Sequence, residues 1–222
     1  MDKVKFESTK AHQRYKTADG ENVPGATTVL GILNKPALLA WAWGLGIKGE
    51  DFRKVKDKAA DIGTIAHWLI ELHLKGLEPD VSNFAPADLA KAENAVIKFM
   101  SWWDTNKFQF VASEQQYVSD KDGYGGTLDI IATVNGDLCL IDLKTSKGIY
   151  DEYWFQLAAY AELHNQNRLC APFKRMIICR IGKEEDSNDF EIQEKQSLSW
   201  ELDVFKKCLA LYKALKTKNK GE

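Results

Sequence analysis

Thr127–Lys144 reads TLDIIATVNGDLCLIDLK, two alternating apolar runs joined by Asn135-Gly136. An Asn-Gly pair suits a two-residue type I′ turn, because both central positions need positive φ. The stretch therefore predicts a β-hairpin. Pairing Val134 with Asp137 and counting outward brings Asp129 opposite Asp142. Side chains alternate along a strand, so Thr127, Asp129, Asp142 and Lys144 share one face, together with Ile131 and Leu140. Leu128, Ile130, Cys139, Ile141 and Leu143 take the other, core-facing side.

Two carboxylates in that cross-strand relation have β-carbons roughly 5 Å apart, and like charges so placed destabilise a sheet. A hard divalent cation, Mg²⁺ or Mn²⁺, offsets the repulsion because it prefers carboxylate oxygens and leaves positions open for water and phosphate. Lys144 beside it can orient the attacking water and stabilise charge developing on phosphate. The competing reading is a solvated hairpin balanced by Lys144 alone; Ile131 and Leu140 on the same face argue for partial burial, and buried charges need partners.

Outward from the hairpin, Val111 to Val118 alternates as a preceding strand, so three consecutive strands form a meander: Val111–Val118, Thr127–Val134 and Leu138–Thr145. A helix from Asp151 to Asn165, strands at Lys174–Ile181 and Phe190–Lys195, and a helix from Ser197 as N-cap to Lys216 follow. Upstream, Thr27–Leu33 starts a short helix capped by Thr27 or Thr28, and Pro36 opens a second carrying Trp41 and Trp43. Asp51–Lys75 presents Ile62, Ile65, Ala66, Leu69, Ile70 and Leu74 at helical spacing, and Pro86–Trp103 forms a fourth helix. The expected class is α/β: a central mixed sheet flanked by helices, in one domain over residues 1–222, mainly helical to residue 105 and with the sheet core from 106 to 222.

The 222 residues are 45% hydrophobic, enough for one sizeable core. Thirty Lys plus Arg against 32 Asp plus Glu give a formal charge of -2, so any nucleic-acid surface must be local. Cys139, Cys170, Cys179 and Cys208 show no Cys-x-x-Cys pair and no zinc or iron-sulfur spacing, and read as reduced thiols. No secretory leader or membrane span is legible, which leads us to expect a soluble, cytoplasmic chain.

The residues together resemble the PD-(D/E)XK nuclease superfamily, and in particular its RecB-like exonuclease branch. Gly126-Thr-Leu-Asp129 resembles the Gly-x-x-Asp strand, Asp142-Leu-Lys144 the D-x-K strand, and Gln156-x-x-x-Tyr160 the motif of the following helix. Gly63-Thr-Ile-Ala-His67 resembles the helical motif that supplies a histidine ligand. Leu128 stands where the superfamily's name has Pro. The resemblance implies a restriction-endonuclease-like core in which His67, Asp129, Asp142 and the Leu143 carbonyl bind Mg²⁺ or Mn²⁺, and Lys144 is the catalytic lysine. Gln156 and Tyr160, one turn apart, would hold the lysine, the water or a DNA phosphate; ordinary helix packing is their alternative. The cluster-binding cysteines of some relatives are missing, so no iron-sulfur cluster is expected.

Glu71, four residues after His67, is open between a partner of that histidine or a second-metal ligand and a surface pair; Glu114 is open between a metal contact and a solvent-facing strand residue. Thr145 and Ser146 are phosphate donors or turn residues. Lys48, Arg53, Lys54, Lys56 and Lys58 near Trp41 and Trp43 suit single-stranded DNA, but the interspersed Glu50, Asp51 and Asp57 favour a solvated face with both tryptophans in the core. Lys213–Lys220 reads as a frayed tail. The implied activity is a DNA exonuclease of recombination, repair or replication, with DNA bearing a free or single-stranded end as the expected substrate and a recombination or replication protein as the expected partner. An endonuclease, a non-catalytic DNA-binding module and an enzyme of other phosphodiesters are the alternatives.

Overall fold

The computed structural model describes residues 3–6, 15–167, 171–183 and 189–218. Its centre is a mixed five-stranded sheet: β5 (Gln109–Ser119), β6 (Tyr124–Val134), β7 (Asp137–Lys144), β8 (Arg175–Ile181) and β9 (Phe190–Lys195), lying side by side in that order. Neighbours are antiparallel except β7 and β8, which run parallel because helix α5 (Asp151–Asn167) carries the chain across. The expected meander is present.

Asn135 and Gly136 have φ of 53° and 85°, and Val134 pairs with Asp137, as the Asn-Gly turn demands. The register holds outward to Ile130↔Ile141, where the ladder ends. Between β5 and β6 the pairs Ser113↔Ile130 and Gln115↔Leu128 flank Glu114 and Asp129, which are not paired, and Glu114 lies at φ 50°. β6 is therefore irregular at Asp129, and this corrects one expectation. Leu128 packs on the opposite side of the sheet from Ile130, in the cluster that holds Ile131 and Leu140. Those two are not partly but fully buried.

Both faces of the sheet are covered. On one lie α1 (Ala26–Leu30), α5 and α6 (Ser199–Lys218), packed through Leu157, Tyr160, Leu163 and Phe205. On the other lie α3 (Phe52–Leu74) and α4 (Pro86–Asn106), with Ile62, Ile65, Ala66, Leu69 and Ile70 of α3 buried as their spacing predicts. Strands buried on both sides need near-continuous apolar sequence, and β7 and β8 have it apart from their first residues, Asp137 and Arg175, and from Asp142, Lys144 and Arg180.

The N-terminal region mixes α2 (Pro36–Ile47) with short strands: β1 (Val4–Lys5) beside β4 (Pro79–Asp80), and β2 (Tyr15–Lys16) beside β3 (Asn22–Val23). Three boundaries differ from expectation. Gly25, not Thr27 or Thr28, is the N-cap of α1. Ser197 does not cap α6: Leu198, buried in the core, accepts the first helical bond from Leu202 N–H at 2.9 Å, so apolar anchoring sets the start. Lys213 is not in a frayed tail; α6 continues past it and its ammonium donates to the Asp122 carbonyl at 2.6 Å. Lys220 and Cys170 lie outside the described residues. Cys139, Cys179 and Cys208 are free and buried. Among the described residues no helix is long and apolar enough to cross a membrane.

Candidate active site

Where β6 and β7 part, the Asp129 carboxylate accepts the Leu143 backbone N–H at 2.8 Å. A side chain thus takes over the hydrogen bond that a ladder partner would have made. Asp142, one residue earlier on β7, is 1% exposed. One of its oxygens forms an ion pair with the Lys144 ammonium; the other, Oδ1, is buried with no hydrogen-bond partner among the described residues. Such an orphaned carboxylate oxygen is costly and signals a missing positive or donor group.

The electrostatics follow from burial. Desolvation, reinforced by Asp129, pushes the Asp142 carboxyl up to about 6 against the pull of Lys144 and His67. Asp129 is also raised, by burial first and by Glu71, against Lys144 and the Leu143 N–H. Burial works against the Lys144 charge, but Asp142 and Asp129 outweigh it and raise its pKa. Lys144 is therefore a fixed cation. Its ammonium also lies 5.0 Å from the centre of the Tyr153 ring.

α3 brings His67 alongside, its Nδ1 3.9 Å from Asp129 Oδ2. Burial and the charges of Lys144 and Lys183 hold its pKa at about 4, leaving a neutral imidazole with a lone pair to offer. This approach depends on Gly63. A β-carbon there would stand 2.5 Å from Thr145 Oγ1, just beyond β7, so a larger residue would force the Thr145 side chain or α3 to shift.

Glu71 does not partner His67 among the described residues; it pairs with Lys75 at 2.5 Å and accepts from Ser113 at 3.4 Å. The i,i+4 pairing is real, but with Lys75. Glu71 and Glu114 nonetheless face the same space as Asp129, and burial, Asp129 and Glu71 raise Glu114 to about 8.

These groups line a cavity of about 890 Å³. His67, Glu71, Glu114, Asp129, Leu143 and Lys144 all contribute to it, while Asp142 is buried and not part of its lining. Thr145 and Ser146 are on its wall, although the Ser146 hydroxyl donates to the Gly148 carbonyl at 2.7 Å. Gln156 and Tyr160 are not on the wall. Gln156 Nε2 donates to the Tyr160 hydroxyl at 2.7 Å, and Tyr160 is a buried core residue whose pKa is raised well above normal by burial, Asp142 and Asp129. Gly126 makes room for it, since a β-carbon there would stand 2.5 Å from the Tyr160 ring. The glycine and the tyrosine are thus one packing unit beneath the acids.

Trp41 and Trp43 are not core residues. Trp43 is 73% exposed, and Trp41 lines the cavity. Sequence reasoning missed Tyr153, Tyr15 and Lys183. Tyr15 reaches over from β2 to hydrogen-bond Thr127 Oγ1 at 2.9 Å, two residues from Asp129. Lys183 joins the cavity wall and donates to the Ala59 carbonyl at 2.6 Å.

The donor chemistry suits a hard divalent cation: carboxylate oxygens from two strands, an orphaned Oδ1 and a neutral imidazole. Among the described residues, no three acid, histidine or cysteine side chains are already drawn together as a chelating group.

No family model matches the chain, and no curated protein matches it. Among solved structures, SSO0001 is 16% identical with a TM-score of 0.33, the likeness covering 57% of this chain and 61% of that one. A protein named "Putative exonuclease" from Eubacterium rectale is 12% identical with a TM-score of 0.47, covering 72% of this chain and 68% of that one. Both likenesses are too distant to carry an argument, so the chemistry rests on the side chains.

Proposed function

We propose that this chain is a divalent-metal-dependent nuclease that hydrolyses DNA phosphodiester bonds. The observation that carries the proposal is the buried Asp142 carboxylate with an unpartnered oxygen, beside Asp129 and Lys144, which line an open cavity. A buried acid so poorly satisfied costs stability unless a cation completes it. The mixed sheet parting at Asp129 and Asp142 supports the restriction-endonuclease-like core that the motifs resemble.

In this reading Asp129, Asp142 and the Leu143 carbonyl hold Mg²⁺ or Mn²⁺, with His67 as the neutral nitrogen donor and Glu114 and Glu71 as the acids nearest a further ion. Asp142 would offer the oxygen that Lys144 leaves unpaired. The ion would supply Lewis acidity towards the scissile phosphate and make an attacking water easier to deprotonate. Lys144 stays protonated, orients that water and offsets charge on the phosphoryl oxygens as they gain it. Tyr160 and Gln156 stiffen the sheet under the acids rather than touching substrate. Action at DNA ends follows from the resemblance to the RecB-like branch.

The test is to incubate end-labelled linear DNA and a closed circle with Mg²⁺, Mn²⁺ or EDTA, beside Asp142→Ala and Lys144→Ala. We expect metal-dependent loss of linear DNA, abolished in both variants. Cutting of the circle would make the enzyme an endonuclease. Binding without cleavage under every condition would make it a non-catalytic DNA module, and activity surviving both substitutions would overturn the site.

A further inference from the structure

The same cavity is lined by aromatic rings as well as acids. Trp41 of α2, Trp68 of α3 and Phe6 all line it, as do Lys56 and Lys183. Trp68 is held edge-on by Phe6, with ring centres 5.3 Å apart, and is braced by Phe84 at 5.8 Å. Trp41 is held edge-on by Phe52, 5.2 Å away. An edge contact fixes a ring while leaving a face uncommitted, and face-to-face stacking uses that face. Neither tryptophan is buried, although burial is what indole ordinarily gains most from.

Resting on the nuclease reading above, we infer that Trp41, with Trp68 behind it, is a stacking subsite for unpaired nucleobases, so that the strand reaching Asp129 and Asp142 is single-stranded. The cavity offers three kinds of surface in one space: acids for a cation, lysines for phosphates and aromatic faces for bases. A phosphodiester over Asp129 sends its base into a cavity that aromatic rings help to line. Bases within a duplex have their faces stacked on one another and cannot offer them to Trp41. Stacking tolerates any base, and Trp41, Trp68 and Phe6 themselves carry none of the hydrogen-bonding pairs that read base edges. The lysines beside them supply the sequence-independent attraction to phosphate.

The experiment measures binding, not cleavage, with Ca²⁺ in place of Mg²⁺. Fluorescence anisotropy is recorded for a short labelled oligothymidylate, the same backbone carrying abasic sites, and a blunt duplex, each with wild type, Trp41→Ala, Trp41→Phe and Trp43→Ala. We expect Trp41→Ala to weaken oligothymidylate binding roughly ten-fold, the size of one lost stacked base. Binding of the abasic strand should already be weak and indifferent to Trp41, Trp41→Phe should keep most of the affinity, and Trp43→Ala should behave as wild type. Melting curves for each variant exclude loss of the fold. If Trp41→Ala affects the thymidylate and abasic strands equally, or neither, the stacking subsite is wrong while the nuclease reading stands. If no DNA binds in any form, both fall.

Discussion

Asp129 Oδ2 accepts the Leu143 N–H at 2.8 Å, immediately after the last ladder pair, Ile130↔Ile141. One carboxylate therefore ends the pairing of β6 with β7 and aims itself at the space between them. The bond ties a structural role to a chemical one, and the two can be separated.

Asparagine at this position keeps an acceptor for Leu143, and alanine does not, while both remove the charge. Asp129→Ala should be less stable than Asp129→Asn by about 1–2 kcal/mol in urea unfolding, the penalty for stranding a buried N–H. Both variants should lose metal-dependent cleavage. Equal stabilities would mean that the Leu143 contact contributes nothing.

Glu114 gives a pH signature. Its folded carboxyl is raised to about 8 from an ordinary 4.5, by burial, Asp129 and Glu71, so the folded state holds a proton that the unfolded chain has released. Its contribution is complete below pH 4.5 and is lost as the pH rises through 8. In EDTA, stability should therefore decline across that window. Because the side chain is open to the cavity, solvent limits the change to on the order of 1 kcal/mol or less. Glu114→Gln should flatten the slope, and an unchanged slope in that variant would contradict the assignment.

The Gly126–Tyr160 contact leaves no space for a methyl group. Gly126→Ala should cost about 1–3 kcal/mol through overpacking and displace the ring beneath Asp129 and Asp142. Thermal melts of Gly126→Ala, Tyr160→Phe and wild type test this. Tyr160→Phe removes only the acceptor of the Gln156 amide and should cost less.

Tyr153 holds the Lys144 ammonium through its ring face. Tyr153→Phe preserves that face, and Tyr153→Leu removes it. Cleavage should survive in the first and fall in the second chiefly through kcat, with KM little changed. Equal loss in both would assign the effect to the hydroxyl and its bond with Ser146 instead.

Much of this was legible in residues 111–195. Alternation gave the strands, and Asn135-Gly136 set the register that brings Asp129 towards Asp142. What could not be read was the break at Asp129. Strict alternation assigns Leu128 and Ile130 to one face, but β6 turns over where Glu114 takes a left-handed conformation, and nothing in the residue types announces a positive φ at a glutamate. Contacts through the third dimension were equally silent: Tyr153 on Lys144, Tyr15 on Thr127 and Thr145 on Gly63 join elements far apart in the chain. Trp41 and Trp43 show the limit of composition. An apolar segment, PALLAWAWGLGI, predicted burial, yet α2 exposes Leu39, Trp43 and Ile47 and commits Trp41 to the cavity.

The most direct test joins the metal and the chemistry at one carboxylate. Mn²⁺ is titrated into wild type and Asp142→Asn, free ion is followed by electron paramagnetic resonance, and DNA cleavage is read on the same samples. The wild type should bind Mn²⁺ and cleave in proportion to its occupancy, and both should be lost in Asp142→Asn while the melting curve shows a folded protein. Undiminished Mn²⁺ binding and cleavage in Asp142→Asn would contradict the proposed site.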